Sequence, residues 1–212
     1  MRATQSLPPG YHSIGTVDIA KDQRLLVWLN LAGVIVLAAS GWLFFRIMVW
    51  LRPQDAAKAF ARLEISSITG AVSLLAWVLG LTAFHVILHE AIHGIFFWLF
   101  TCSRPRFALR WSYAYASAPD WYIPRDPFLI TTLSPLVVIT FLGLLIFWAA
   151  PTAWLLPAWY VISMNAAGTG GDAMVAAWLL RQPSTCLAQD RGDAVTLYVA
   201  GVGHQTSESS IL

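Results

Sequence analysis

Four apolar stretches, each long enough to cross a bilayer as a helix, leave this chain few architectures. They run from about Leu25 to Leu51, Ser66 to Phe100, Phe128 to Ala150 and Ala153 to Leu180. A helix needs roughly 20 residues to span about 30 Å of hydrocarbon. Arg52-Pro53, Pro151, Pro157 and Pro183 punctuate the runs, as proline does near helix ends. Charged residues make up 11% of the 212, less than half of the ~25% usual in a soluble domain. The fold class that follows is an all-α integral membrane protein with about four transmembrane helices. Residues 25–180 form the membrane domain, between an N-terminal tail (1–24) and a C-terminal tail (181–212). The net charge of +2, with no basic face interleaved with aromatics, gives no reason to expect nucleic acid as a partner. The lipid bilayer is the partner such a surface requires.

Four crossings put the two tails and the 101–127 loop on one side. That side carries Arg2, Lys21, Arg24, Arg104, Arg106, Arg110, Arg125, Arg181 and Arg191, against Arg52, Lys58 and Arg62 on the other. The positive-inside bias predicts that both termini are cytoplasmic. The polar first 24 residues lack the early apolar core and small-residue cleavage site of a signal peptide, so the first span is expected to be retained. Cys102 and Cys186 make no disulfide framework and read as free thiols. The second run exceeds one crossing, so it is either tilted or leaves the hydrocarbon in its last turns. Beyond it, bulky residues alternate through Phe107-Ala108-Leu109-Arg110-Trp111-Ser112-Tyr113-Ala114-Tyr115. This is strand periodicity, and it predicts a short interfacial strand or hairpin whose edge could pair with a substrate backbone. The competing reading is an aromatic belt at the membrane surface.

Within the second run, His89-Glu90-Ala91-Ile92-His93 spells H-E-x-x-H. Histidines four apart on a helix share a face and can share one zinc ion, while the glutamate is placed to take a proton from an attacking water. Ionisable groups in hydrocarbon are costly, which argues for a function. His85 extends the row, but the eight residues from His85 to His93 rise about 12 Å, whereas zinc holds its nitrogens at about 2.1 Å. His85 therefore reads as a packing or hydrogen-bonding residue. A catalytic zinc needs a third protein ligand. The other deeply embedded acid is Asp172, in Asn165-Ala166-Ala167-Gly168-Thr169-Gly170-Gly171-Asp172, where glycines mark a helix that is loosened or closely approached. Asp120, Asp126, His204 and Glu208 lie in loops or the tail, where solvation accounts for them. Asn165, two turns from Asp172, could bind substrate backbone or the transition-state oxyanion, or tie helices together. Ser134-Pro135 breaks the third helix early and could frame the site.

With H-E-A-I-H-G in one apolar helix and N-A-A-G-T-G-G-D in a later one, the chain resembles the site-2 protease group of intramembrane metalloproteases. More closely it resembles a family of short bacterial membrane zincin peptidases. The likeness covers most of residues 66–180, including the Tyr-rich segment before the third span and Ser134-Pro135. It departs where Gly171 stands for a leucine, Ala173 follows the aspartate, and the intervening proline is missing, with a spacing one residue shorter. The resemblance implies Zn2+ as cofactor, a transmembrane or membrane-associated protein as substrate, and the bacterial cytoplasmic membrane as location. The expected function is a zinc-dependent intramembrane endopeptidase cutting within or near the cytoplasmic side of the bilayer. His89, His93 and Asp172 would hold the metal, Glu90 would be catalytic, and Asn165 would meet substrate. The alternatives are a non-proteolytic membrane zinc-binding or regulatory protein, and a structural four-helix protein with a fortuitous motif.

Overall fold

A computed structural model describes residues 2–18, 21–61, 67–110 and 114–201. Residues 111–113 of the expected hairpin, together with Arg62, His204 and Glu208, lie outside the described residues. Three long helices follow the first three apolar runs: α1 (Gln23–Leu51), α3 (Ile68–Thr101) and α4 (Arg125–Ala149). A short α2 (Pro53–Ala61) lies between the first two. The Asp22 carboxylate accepts the Leu25 N–H at 3.0 Å, and the Ser67 hydroxyl accepts the Gly70 N–H at 3.1 Å. Each cap satisfies a donor that the first helical turn leaves unpaired. Cys102, at φ 54°, ends α3 in the left-handed conformation. Large apolar side chains stand exposed along these helices, among them Trp28 at 70%, Ile35 at 71%, Ile87 at 69% and Trp148 at 73%. In water each would forfeit about 25 cal/mol per Å² of apolar surface, whereas hydrocarbon makes no such demand. All three helices are long and apolar enough to cross a membrane, as a membrane protein requires.

The fourth apolar run is not one continuous helix. A single 3₁₀ turn (Thr152–Trp154) leads into α5 (Leu155–Gly168), and α6 (Gly170–Leu180) follows after a break at Thr169. A Cβ at Gly168 or Gly170 would meet only ordinary contacts, at 3.7 and 3.6 Å. Their part in the break is therefore the low helix propensity of glycine, about 1 kcal/mol per residue below alanine, rather than close approach by a neighbour. Neither α5 nor α6 alone reaches the roughly 20 residues of a crossing.

The expected hairpin after α3 forms: β2 (Arg106–Leu109) pairs antiparallel with β3 (Ala114–Ser117), Phe107 opposite Ala116 and Leu109 opposite Ala114. The all-α expectation needs correction elsewhere, because both polar ends of the chain contain strands. β1 (Tyr11–Asp18), β4 (Ile123–Pro124), β5 (Leu187–Asp190) and β6 (Ala194–Ala200) form an antiparallel sheet in the order β1-β6-β5-β4. Tyr11 lies opposite Ala200 and Asp18 opposite Ala194, so segments almost the whole chain apart are neighbours. Alternation within Val195-Thr196-Leu197-Tyr198-Val199 suits a sheet with one covered face. Leu197 and Ala188 bury their side chains in a core with Phe97, Phe128, Val175 and Leu179, which seats the sheet on one end of the helix bundle. β4 runs directly into α4, and Trp178 of α6 packs 3.1 Å from the Cβ position of Gly15 in β1.

At the opposite end, Arg52 donates to Asp55 and to the Ala150 carbonyl, while the Thr152 hydroxyl donates to Asp55 at 2.9 Å. This cluster joins the α1–α2 corner to the α4–α5 connection, and the Arg52 guanidinium holds the Asp55 carboxyl below its ordinary range. Midway along the bundle α4 and α5 touch at Gly143, where a Cβ would lie 2.1 Å from Ile162 Cγ2. Ile162 is fully buried and has nowhere to retreat. Gly143→Ala is expected to cost about 1–3 kcal/mol of stability through overpacking, seen as a lowered melting temperature of the detergent-solubilised protein. An unchanged melting temperature would show that the two helices can separate freely.

Candidate metal centre

α3 presents His89 and His93 on one face, one helical turn apart, and both side chains are buried. α6 brings Asp172 to them from its first turn, where the positive end of the helix dipole favours a carboxylate. The ligand atoms converge. The two Nε2 atoms are 3.2 Å apart, His89 Nε2 is 3.3 Å from Asp172 Oδ2, and His93 Nε2 is 3.5 Å from Asp172 Oδ1. Among the described residues, these are the group of three or more potential metal ligands whose donor atoms come together.

The outer hydrogen bonds decide which ring nitrogens are free. Asn165 donates its amide N–H to the Pro135 carbonyl at 3.1 Å, which turns its Oδ1 toward His89 Nδ1 at 3.1 Å. The Thr131 carbonyl lies 3.0 Å from His93 Nδ1. Both partners are acceptors, so each Nδ1 must be the donor, and in the neutral imidazole each Nε2 carries a lone pair. Two lone pairs and a carboxylate facing one another within 3.5 Å repel unless a metal cation or a proton sits among them. Zinc bonds of about 2.0–2.1 Å at tetrahedral angles would place ligand atoms about 3.3–3.4 Å apart. The residues present fit such an ion, and two histidines with one carboxylate leave a fourth position open.

The Thr131 carbonyl is available for a reason written in the sequence. Its helical partner would be the N–H four residues on, at Pro135, and proline has none. The freed oxygen accepts from His93 and from the Ser134 hydroxyl at 2.7 Å. Ser134-Pro135 thus fixes the ring orientation of a candidate ligand, as outer partners of metal-bound histidines commonly do. That is a more specific part than framing the site.

Asn165 is fully buried, and its amide is committed at both ends to His89 and Pro135. This arrangement gives Asn165 the task of orienting His89. His85 lies one turn from His89, with ring centroids 5.8 Å apart, and outside the ligand cluster. Glu90 reaches the hairpin, where its Oε2 accepts the Ala116 N–H at 2.7 Å. The hairpin is held close to α3 at Gly94, where a Cβ would lie 2.4 Å from the Phe107 ring.

A cavity of about 220 Å³ opens onto these groups, lined by His89, Glu90, His93 and Asp172 together with Ala114 and Ala116 of β3. Asp190 and Gly192, from the β5–β6 turn, close another part of the wall. Asp190 was not legible as a site residue, since it lies in a segment with no motif. Burial pushes its carboxyl up to about 7.

No curated protein and no solved structure matches the chain. Residues 82–187, half of the chain, match a family described as "Putative zincin peptidase". The matched stretch takes in His89, Glu90, His93, Asn165 and Asp172 and stops short of Asp190. The converging ligands and this match agree, and the chain belongs to that zincin peptidase family.

Proposed function

We propose that the protein is a zinc-dependent intramembrane endopeptidase that hydrolyses peptide bonds of membrane proteins near the cytoplasmic side of the bilayer. The observation that carries this reading is the convergence of His89, His93 and Asp172, at tetrahedral ligand spacing, inside a bundle of lipid-facing helices. A zinc ion held there supplies Lewis acidity, polarising a carbonyl and making water easier to deprotonate. Glu90 takes a proton from the attacking water and delivers it to the leaving amine. Asn165 and Thr131 keep the two imidazoles in the tautomer that leaves Nε2 free.

Antiparallel strands point both backbone groups of alternate residues to the same side. The Ala116 N–H faces Glu90, so Ala114 and Ala116 direct their backbone groups to the cavity rather than to β2. That edge supports pairing with an extended substrate, which must first unwind, because a helix hides its carbonyls. The pairing of β1 with β6 puts both ends of the fold on one side and supports an even number of crossings, α5 and α6 together making the fourth. With the cationic excess on that side, both termini are cytoplasmic. His93 lies eight residues before the end of α3, about 12 Å along the helix from that end. The break between Asn165 and Asp172 supports kinship with site-2 proteases.

A specific observation favours a second reading, a non-proteolytic membrane zinc-binding protein: the bond from Ala116 gives Glu90 a structural task. The test is cleavage of a fluorogenic transmembrane reporter by the protein in liposomes. Chelation is expected to stop cleavage, and stoichiometric zinc to restore it. Zinc-loaded protein that leaves every reporter intact would remove the proteolytic reading.

A further inference from the structure

The turn between β5 and β6 forms one wall of the cavity and is fastened to the hairpin. Gly192, at φ +90°, lies against the Tyr115 ring, where a Cβ would come within 2.1 Å of a ring carbon. Arg110 reaches Asp193 at 3.5 Å. The wall is therefore a built part of the site, standing beside the strand edge that faces Glu90.

Among the described residues four carboxylates line the cavity, and three have evident counterparts. Asp172 sits with the histidines, Glu90 accepts from Ala116, and Asp193 faces Arg110. Among the described residues, Asp190 accepts only the Gly192 N–H, at 2.6 Å on Oδ1. It has no ion-pair partner among the described residues. No lysine or arginine among the described residues lines the cavity, whose remaining wall includes Phe97, Phe128, Val175 and Val195. A half-buried carboxyl with no cation beside it tends to hold a proton, and a cation meeting it would favour the ionised form and gain from the low local dielectric.

We propose that Asp190 determines specificity by receiving an ammonium group of the substrate, either a lysine side chain or a free α-amino group, near the bond to be cut. The proposal rests on the proteolytic reading, since it needs a peptide lying along β3. With Oδ1 taken by the Gly192 N–H, one carboxyl oxygen remains, which suits the point charge of an ammonium better than the bidentate fork of a guanidinium.

The test measures peptide binding in a background that cannot cut, zinc-loaded Glu90→Gln protein in detergent. The probes are short valine- and alanine-rich peptides carrying lysine, methionine or glutamate at successive positions, each with a free or an acetylated N-terminus. The lysine peptide, or the peptide with the free N-terminus, is expected to bind at least about 10-fold tighter than its neutral counterpart. Which of the two does so identifies the source of the ammonium. Adding Asp190→Asn should level the affinities to within about twofold, with zinc content and melting temperature unchanged. Equal affinities across the set, or a preference that survives Asp190→Asn, would overturn the proposal. So would loss of zinc from Asp190→Asn, which would make Asp190 a metal ligand. Binding is read without hydrolysis, so failure of the wild type to cut any peptide would count against the protease and leave the binding result standing.

Discussion

Glu90→Gln is expected to lower reporter cleavage about 10²–10⁴-fold, the range a positioned general base contributes, while the protein keeps a full complement of zinc. The substitution separates two tasks that meet in one side chain. A glutamine oxygen can still accept the Ala116 N–H that Glu90 now holds at 2.7 Å, so the hairpin keeps its anchor on α3. A carboxamide cannot take up the proton of an attacking water. If Glu90 serves only as a strut, the variant will cut as the wild type does and the general-base role falls; if neither protein cuts, the zinc-binding reading replaces the proteolytic one. Cleavage in liposomes and metal analysis of the same preparation decide the matter together.

Asp172→Ala and His93→Ala are expected to abolish stoichiometric zinc in the purified protein. Each removes one of three ligands, and the two that remain cannot close a tetrahedral site. Asn165→Ala should rank below them, at about 10–100-fold in affinity, as is usual when a bound histidine loses its outer partner. This ordering follows from distance: Asp172 faces both Nε2 atoms directly, at 3.3 and 3.5 Å, whereas Asn165 touches His89 only through Nδ1. Equal zinc in wild type, His93→Ala and Asp172→Ala would sink the ligand set.

The parts legible in the sequence were those that announce themselves locally. Apolar runs of span length mark α1, α3 and α4 within a few residues, because lipid selects for composition along a whole helix. His89 and His93 are neighbours by helical periodicity, and Asp172 stands out because an acid in an apolar run is costly. Alternation from Phe107 foretold the β2–β3 pair. The four-stranded sheet was hidden for the opposite reason. β6 has a local partner in β5, but β1 gains its partner only from the far end of the chain and the two residues of β4 pair across α4, α5 and α6, so no local pattern states the full sheet. Ser134-Pro135 was visible as a break, yet its use depends on which carbonyl the missing N–H releases and which histidine stands opposite. Asp190 was the least legible. It is an acid in a polar segment like any other until the turn at Gly192 closes against Tyr115.

The sheet order β1-β6-β5-β4 carries a consequence for biosynthesis. Chains emerge from the N-terminus onward, so α3, α4 and α6 can meet, and their ligands can gather, before β5 and β6 exist. The wall bearing Asp190 arrives last, and β1 must wait for β6 through the insertion of every intervening helix. A partly made chain would therefore hold its metal ligands in an open site, and the cavity gains its selective wall only when the two ends of the fold join.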